Sequence, residues 1–375
     1  MTPRAGAAPP IRHSRPSAAG RRLLQLSGWR RRALVWMAVF PAILALAPAP
    51  AAVASEVPAT MLAAALDHGG GPDVLSIHRL PVPKPLVGEV LIAVRAAGVA
   101  VWDAGERQHV AEGTHFPLVL GTDGAGTVAA IGPGVQGFKV GDRVYGVVEG
   151  MPSGFYAQYV TTPAENVAPI PKGIGFDEAG ILAVSGLSAL QGIDDVLQLK
   201  AGDTLIIHGA SGAVGALAVQ FAKLRGVKVL ATVTSDAGAA LVKRLGADAV
   251  VNGKTGDIAA AAKRFAPEGV DAVLGLAGGP ALEQCIDALR HDRRGRVAYL
   301  DGINPIPRPR LGIRMTLYSY IPGRGEFDRL NKAVEAAHLK VPIAAEYPLA
   351  KAADAHRRLA AGHLLGKIVL LVQQG

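Results

Sequence analysis

The chain after residue 60 falls into three parts that differ in how their hydrophobic positions repeat. Residues 61–183 contain short apolar runs separated by glycines, a pattern that is typical of strands and turns. Residues 186–312 alternate short β-branched runs with stretches of helical periodicity, which predicts a parallel sheet with right-handed helical crossovers. The remaining residues combine helical periodicity with one closing apolar run. The pattern therefore predicts an α/β protein that joins a β-rich part to a doubly wound parallel sheet.

Individual elements follow from these repeats. In the β-rich part, strands are predicted at Glu89–Ala97, Gly121–Ile131 and Val140–Val148. The parallel sheet is predicted to contain Thr204–His208, Val227–Val233, Ala249–Asn252, Ala272–Leu274 and Val297–Leu300. After it come two helices, around Phe327–Ala337 and Ala350–Ala361, and a final strand at Lys367–Val372.

A glycine-rich turn follows the strand predicted at Thr204–His208. Its glycines are Gly209, Gly212 and Gly215, in the spacing G-x-x-G-x-x-G, and the apolar positions after them repeat as in a helix. Glycines allow a tight turn and a close approach of backbone N–H groups to a phosphate, and the start of a helix adds a favourable partial charge. The turn therefore predicts a dinucleotide site. Its predicted contacts are Gly209, Ala210, Ser211, Gly212, Val214 and Gly215.

The residues that follow the second predicted strand indicate which dinucleotide binds. An NAD site usually has Asp or Glu there, about 20 residues after the glycines, to bond the ribose 2′-hydroxyl. This chain has Thr234 and Ser235 instead. Small hydroxyl residues leave room for a 2′-phosphate, so NADPH is the predicted cofactor. The cation that would pair with this phosphate is left open among Lys243, Arg244 and Lys254.

Charge and cysteine content argue against two classes of protein. The net charge is +9, but residues 1–60 contain eight Arg and one acid and so supply +7 of it. The rest of the chain is nearly neutral, which argues against nucleic acid as a partner. Cys285 stands alone, so neither an intramolecular disulfide nor a multi-cysteine zinc cage can form.

The N-terminal segment, residues 1–54, has the pattern of an export signal. Three arginines precede an apolar run at Ala33–Leu46, and Ala52–Ala54 provide small residues for cleavage before Ser55. The run is short and interrupted by prolines, so no stable membrane span is expected. The arginines loosely fit a twin-arginine signal, which would place the folded protein in the periplasm. The alternative is a cytoplasmic chain that begins at Met61.

Six segments stand in an order that a known superfamily shares. Phe116–Val128 has the form P-x-x-x-G-x-[DE]-x-x-G-x-V, and His208–Gly215 contains the glycine turn. The other four are Met61–Leu75, Val140–Tyr145, Leu245–Val250 and Gly362–Val369. Together they resemble the zinc-free quinone oxidoreductase branch of the medium-chain dehydrogenase/reductase superfamily. The resemblance covers essentially all of residues 61–375.

The resemblance implies a division of the chain into domains and a reaction. Residues 61–185 and 313–375 would form a β-rich GroES-like catalytic domain, and residues 186–312 would form a Rossmann dinucleotide-binding domain. It also implies a homodimer and a hydride transfer to a quinone or an α,β-unsaturated carbonyl.

The same resemblance implies that no metal is bound. Zinc-dependent relatives have a Cys in the segment that corresponds to Gly98–Asp103 and a His before the acid of the signature. Here the segment has no Cys, and Thr122 precedes Asp123. Asp123 alone does not make a site, since zinc needs at least three protein ligands. Without a Lewis acid, reduction of an already electrophilic acceptor is favoured over alcohol oxidation.

The resemblance further implies residues for an acceptor pocket. Trp102 would form a flat aromatic wall, or else anchor its loop in the core. Asp103 and Tyr156 are the catalytic candidates, for proton relay or proton donation, although each could instead have a structural role. Ser188 would stand near the nicotinamide end of the cofactor. An Asn and a Tyr found in many relatives are missing here, which weakens the assignment of a proton donor.

Two other functions remain open at this point. An enoyl-thioester reductase would use a similar fold together with a long acyl channel. A nucleotide-binding redox sensor or interaction protein with little turnover would keep the glycine turn and would not need the missing Asn and Tyr.

Overall fold

The computed structural model describes residues 57–150, 153–292 and 294–373 of the 375-residue chain. The expected export signal and its cleavage site lie outside the described residues. Among the helices of the described ranges, none is long and apolar enough to cross a lipid bilayer.

The strands form two sheets in a β-rich half and one sheet in a nucleotide-binding half. In chain order they are β1 (Thr60–Leu66), β2 (Ser76–Pro81), β3 (Glu89–Val99), β4 (Leu118–Val119), β5 (Asp123–Ile131), β6 (Arg143–Val147), β7 (Tyr159–Pro163), β8 (Val167–Pro169), β9 (Thr204–His208), β10 (Lys228–Val233), β11 (Ala249–Asn252), β12 (Ala272–Gly275), β13 (Arg296–Leu300), β14 (Arg314–Tyr318), β15 (Ile343–Pro348) and β16 (Lys367–Leu371).

The helices flank these sheets. They are α1 (Val101–Gln108), α2 (Phe176–Ala179), α3 (Ala183–Gln191), α4 (Ala213–Leu224), α5 (Asp236–Arg244), α6 (Ile258–Phe265), α7 (Pro280–Asp287), α8 (Arg324–Ala337) and α9 (Ala352–Ala360). A π-helical turn at Gly192–Val196 continues α3.

The β-rich half is built around the long strand β3. A seven-stranded sheet has the order β15-β16-β3-β5-β6-β8, and β7 also pairs with β3. A smaller sheet places β1 between β2 and β4. The last strand of the chain, β16, runs antiparallel to β3, so the C-terminal residues return to the half in which the described chain starts.

The nucleotide-binding half contains a six-stranded parallel sheet of order β11-β10-β9-β12-β13-β14. Helices cover both faces of this sheet, so side chains on both faces of the inner strands are buried. The sequences of these strands are therefore continuous hydrophobic runs. The strand order reverses at β9, because β10 lies on one side of it and β12 on the other. Ligands bind at such a reversal, beyond the carboxyl ends of the strands. The predicted doubly wound fold is confirmed.

One strand extends the parallel sheet beyond the expected domain boundary at residue 312. β14 pairs in parallel with β13, from Arg314 beside Arg296 to Tyr318 beside Leu300. The return to the β-rich half therefore follows α8 and begins with β15. β14 is an edge strand that buries only Tyr318 fully, so its residues lack the continuous apolar run that marks an inner strand.

Helix α3 joins the two halves. All of its residues are buried, and it packs against α4 and α8 as well as against β5 and β6. Beside it, the Tyr145 ring meets the Phe327 ring edge-on at 5.4 Å. The Tyr145 hydroxyl donates a hydrogen bond to Asn331 Oδ1 at 2.7 Å, so β6 and α8 are tied together across the two halves.

Candidate active site

The glycine turn lies at the reversal point of the parallel sheet. β9 ends at His208, and its neighbours end level with it, since His208 pairs with Thr232 of β10 and with Gly275 of β12. Gly209 has a φ of +85°, a left-handed conformation that favours glycine. A Cβ on Gly215 would lie 2.4 Å from the Gly209 carbonyl oxygen, so this glycine allows α4 to pack closely on the turn.

The other side of the turn is open. Gly212 is the N-cap residue of α4, and a Cβ placed there would meet only the Gly209 oxygen, at 3.5 Å. The first N–H groups of a helix have no acceptor within the helix and can bond a phosphate. The glycine turn and the start of α4 therefore offer a surface that fits a pyrophosphate. The predicted residues from Gly209 to Gly215 lie together on this surface.

The ribose end of the site lies beyond β10. Thr234 is exposed, and the Ser235 side chain accepts a hydrogen bond from Gly238 N at 3.1 Å as the N-cap of α5. The Gly253 N–H donates to the Val233 carbonyl at 2.7 Å, which places the neighbouring Lys254 beside the end of β10. Lys243 and Arg244, in contrast, lie in the last turn of α5, at the far end of the helix from Ser235. Of the three cations that the sequence left open, Lys254 has the suitable position.

A cavity of about 510 Å³ opens between the two halves, next to the start of α4. Trp102 from α1, Ser188 from α3 and Val214 from α4 all contribute to its wall. Trp102 is 36% exposed, whereas Ser188 is almost fully buried. Three predicted residues that lie far apart in the sequence thus meet in one cavity, at the end of the site where the nicotinamide of a bound dinucleotide would lie.

The Trp102 ring is held from two directions. Its Nε1 donates a hydrogen bond to Thr122 Oγ1 at 2.8 Å, and the Lys367 ammonium lies 5.4 Å from the ring centroid, in a cation–π contact. Lys367 Nζ in turn donates to both carboxylate oxygens of Asp123 at 2.7 Å, and both side chains of this pair are nearly fully buried. Gly366 N, one residue before Lys367, donates to the Ser211 carbonyl, which links the ion pair to the glycine turn.

Sequence reasoning did not identify Lys367 as part of the site. A charged residue that opens an otherwise apolar strand is the signal that could have found it, because a buried lysine needs a carboxylate partner.

The two catalytic candidates lie together beneath the cavity. Asp103 Oδ2 accepts hydrogen bonds from Ala100 N at 2.8 Å and from the Tyr156 hydroxyl at 2.9 Å. Both side chains are 0% exposed, and neither is among the residues that line the cavity. Burial raises the pKa of Asp103 to about 7, against the opposing effects of the Ala100 hydrogen bond and the Lys367 charge. The structure thus pairs the two residues, while their catalytic role stays a prediction.

Two residues that the sequence did not reveal complete this buried group. His356 Nε2 lies 3.2 Å from the Tyr156 hydroxyl, and Arg107 Nη1 lies 3.3 Å from His356 Nδ1. A guanidinium can only donate, so His356 Nδ1 is the acceptor, Nε2 carries the proton, and the ring donates to Tyr156. Burial, with a smaller effect of the Arg107 charge, lowers the pKa of His356 to about 4, which keeps the ring neutral at neutral pH. The hydrogen bonds therefore run in one direction, from Arg107 to Asp103.

His208 has a packing role at the end of β9. Its Nδ1 lies 2.8 Å from Thr232 Oγ1 on the adjacent strand. Burial lowers the pKa of His208 to about 4, so the ring is neutral at neutral pH.

A larger concavity, of about 820 Å³, lies elsewhere on the nucleotide-binding half. Its wall comes from the C-terminal parts of α6 and α7 and the residues that follow each helix. These residues lead into the amino ends of β12 and β13, the opposite edge of the sheet from the glycine turn. The smaller cavity is therefore the candidate active site.

Comparison with known proteins identifies the family. Residues 87–172 match the alcohol dehydrogenase GroES-like domain, and residues 245–370 match a zinc-binding dehydrogenase family. The 2-haloacrylate reductase of Burkholderia sp is 31% identical over 84% of this chain and 99% of its own length. Human quinone oxidoreductase is 30% identical over 81% of this chain and 95% of its own length. The chain belongs to the quinone oxidoreductase-like branch of the medium-chain dehydrogenase/reductase superfamily.

A solved structure of this superfamily agrees with the fold. The mycobacterial protein Rv1454c, whose structure was solved in complex with NADPH, is 30% identical, with a TM-score of 0.72 over 83% of this chain and 99% of its own. Membership of the superfamily makes the present chain an NAD(P)H-dependent oxidoreductase. It also confirms the predicted pairing of a Rossmann-like sheet with a GroES-like β-rich domain.

The match to a zinc-binding family directs attention to the positions of metal ligands. The segment Gly98–Asp103 contains no Cys, Thr122 stands in place of the His, and Thr122 Oγ1 accepts a hydrogen bond from Trp102. Asp123 has both oxygens bonded to Lys367. Within the described ranges, no group of three or more His, Cys, Asp or Glu residues could hold a metal ion. The expectation that this dehydrogenase/reductase works without zinc stays a prediction.

Proposed function

We propose that this oxidoreductase uses NADPH to reduce a quinone or an α,β-unsaturated carbonyl compound, without a metal ion. The observation that carries the proposal is the cavity beside α4, whose wall includes Ser188, Val214 and the indole ring of Trp102, which Thr122 and Lys367 hold in place. A flat ring stacks well on a planar conjugated acceptor. Both relatives support this class, since a quinone and a 2-haloacrylate each contain an electrophilic conjugated double bond.

The residues of this chain would bind and orient the two reactants. NADPH, when bound, supplies a hydride from its nicotinamide ring. The start of α4 and the open face of Gly212 would hold the pyrophosphate, and Ser188 and Val214 would border the nicotinamide. Trp102 would stack on a planar acceptor and orient it towards the nicotinamide, and hydride transfer depends on such orientation. Tyr320 also lines the cavity; its pKa is raised, first by burial, so its hydroxyl keeps its proton and can donate a hydrogen bond.

The preference for NADPH over NADH is supported by the residues beyond β10. Thr234 and Ser235 offer no carboxylate to bond a free 2′-hydroxyl, and Lys254 provides a cation beside them. Thr234→Asp should therefore shift the preference towards NADH, because a carboxylate repels the 2′-phosphate. Lys254→Gln should weaken NADPH binding about tenfold and leave NADH binding unchanged, whereas Lys243→Gln serves as the matched control. Tighter binding of NADH than of NADPH by the parent protein would contradict the preference.

Turnover with a panel of acceptors tests the reaction. The full chain is mixed with NADPH and, in turn, with benzoquinone, naphthoquinone, an enone and a crotonyl thioester, and NADPH oxidation is followed by absorbance. We expect reduction of the quinones or the enone, with activity that survives chelators and a zinc content far below one per chain. Preference for the thioester would favour the enoyl reductase, and NADPH binding without any turnover would favour the sensor. Stoichiometric zinc that is lost together with activity would contradict the metal-free mechanism.

A further inference from the structure

The charged residues that line the acceptor cavity all have the same sign. Glu106, Glu149 and Asp301 are carboxylates, and the wall, as far as the structure describes it, contains no Lys, Arg or His. Glu106 lies one helical turn after Trp102 on α1, so the two side chains project from the same face of the helix. An acceptor that stacks on the indole ring therefore approaches a carboxylate.

These carboxylates are not neutralised by a neighbouring cation. In the part of the chain that the structure describes, neither Glu106 nor Glu149 makes a hydrogen bond or an ion pair. The Lys367 ammonium is close to Trp102, but it lies outside the cavity wall and is paired with Asp123. The Asp123 carboxylate thus largely offsets the positive potential of Lys367 in the cavity.

The effect of this negative charge is visible in a neighbouring group. The pKa of Tyr320 in the cavity wall is raised first by burial and then by the charges of Asp123, Glu149 and Glu106. After burial and Asp123, the two glutamates thus contribute to the negative potential at a hydroxyl of the cavity wall.

We propose that the cavity selects acceptors that are neutral or positively charged and discriminates against anionic ones, with Glu106 and Glu149 as the specificity-determining residues. The inference rests on the proposed function, since it concerns the acceptor of the same reaction. An acceptor with a carboxylate, phosphate or sulfonate near its conjugated system would be repelled by like charges and would find no cation to pair with. Neutral quinones and enones meet no such penalty. The 2-haloacrylate named for one relative carries a carboxylate beside its double bond, so this chain is expected to differ from that relative in the charge of its acceptor.

A pair of quinones that differ in charge tests this selection. The full chain, saturated with NADPH, is assayed with 1,4-naphthoquinone and with 1,4-naphthoquinone-2-sulfonate, and the ratio of kcat/KM for the anionic over the neutral quinone is recorded. Glu106→Gln and Glu149→Gln should each raise this ratio about two- to fivefold, the range expected for one exposed charge, and the double variant should raise it about tenfold. Comparison of ratios between variants cancels the intrinsic difference in reactivity of the two quinones.

Two controls separate cavity charge from net charge. Glu165→Gln removes the same charge from an exposed site outside the cavity wall, and it should leave the ratio unchanged. Added salt should raise the ratio of the parent protein, because it screens the repulsion, and should affect the double variant less. Turnover of both quinones with a ratio that the double variant does not change would overturn the charge selection alone. Absence of turnover by the parent protein with both quinones and also with a neutral enone would overturn the proposed function itself.

Discussion

At the scale of single residues, the raised pKa of Asp103 follows from its burial. Its Oδ2 atom accepts two hydrogen bonds, whereas Oδ1 is one of the few buried polar side-chain atoms in the described residues without a partner. An ionised carboxyl with one bare oxygen is costly in the interior, which is why burial raises its pKa. A perturbed pKa is therefore explained here by burial, with no need for contact with a substrate.

The protonation of Asp103 should make stability depend on pH. The folded protein holds this proton up to about pH 7, whereas the unfolded chain releases it near pH 4, so the free energy of unfolding should fall as the pH rises between these values. The slope from this one group is at most about 1.4 kcal/mol per pH unit. Denaturant unfolding from pH 4 to pH 8 should show a flatter profile for Asp103→Asn, while the exposed control Asp328→Asn keeps the slope of the parent. Equal slopes for the parent and Asp103→Asn would contradict the raised pKa.

Gly212 is predicted from its spacing to contact the pyrophosphate, and the structure leaves the space beside it open. A side chain there would not clash within the protein but would fill the space in which we propose that the pyrophosphate binds. Gly212→Val should weaken NADPH binding by well over tenfold, measured by fluorescence titration, with little change in the melting temperature. Gly325→Val, which also adds a side chain in open space at the start of a helix, is the matched control for binding. NADPH binding by Gly212→Val that equals the parent's would show that the phosphate does not lie there.

At the scale of elements, the hydrogen bonds from Arg107 to Asp103 join parts of the chain that are far apart in sequence. Arg107 and Asp103 lie on α1, Tyr156 precedes β7, and His356 lies on α9. Arg107 Nε also donates to the Gly70 carbonyl, in the turn between β1 and β2. The group therefore fixes α1, and with it the position of Trp102, against the β-rich half.

Removal of the Tyr156 hydroxyl distinguishes this structural role from the predicted catalytic one. Tyr156→Phe should lower the free energy of unfolding by about 1–3 kcal/mol, because it leaves buried partners unpaired. It should reduce kcat only a few-fold, through the position of α1. Tyr347→Phe, whose hydroxyl makes no hydrogen bond among the described residues, should change neither quantity. A hundredfold loss of kcat at unchanged stability would instead make Tyr156 a proton donor.

The same group shows what the sequence could and could not predict. The strand at Thr204–His208 and the glycine turn were predicted because their signals are local, an apolar run followed by fixed glycine spacing. The contact between Tyr156 and His356 joins residues 200 positions apart, and the hydrophobic pattern of neither segment indicates it. The edge strand β14 was missed for a different reason, since one exposed face weakens its hydrophobic signal.

At the scale of the whole molecule, the candidate active site is held together by the C-terminal return of the chain. β16 brings Lys367 to Asp123 and beneath Trp102, and Gly366 bonds the glycine turn of the other half. The start of β16 thus connects the Lys367–Asp123 ion pair, the Trp102 side of the cavity and the glycine turn. Family membership predicts that both halves are present, but only the fold shows that they share this strand end. The homodimer expected from the resemblance stays a prediction.

The described structure bears on the two possible starts of the mature chain. A chain that begins at Met61 would lose Ala59, whose carbonyl accepts a hydrogen bond from Val82 N, and Thr60, whose hydroxyl accepts one from Arg79. A chain cleaved before Ser55 would keep both contacts and the whole of β1. These contacts favour the longer chain, although they do not depend on where in the cell the protein works.

We propose, from the signal-like pattern of residues 1–54, that the mature protein begins at Ser55 after export of the folded chain. Little NADPH is regenerated outside the cytoplasm, so an exported enzyme of this kind should retain its cofactor tightly or receive electrons from another donor. A twin-arginine route would suit such a protein, because it carries folded chains and could carry the bound cofactor with them. N-terminal sequencing of the protein from its native host, together with the cofactor content of the purified protein, provides the measurement. Ser55 at the terminus with NADPH bound would support export, whereas a terminus at Met61 would make the enzyme cytoplasmic.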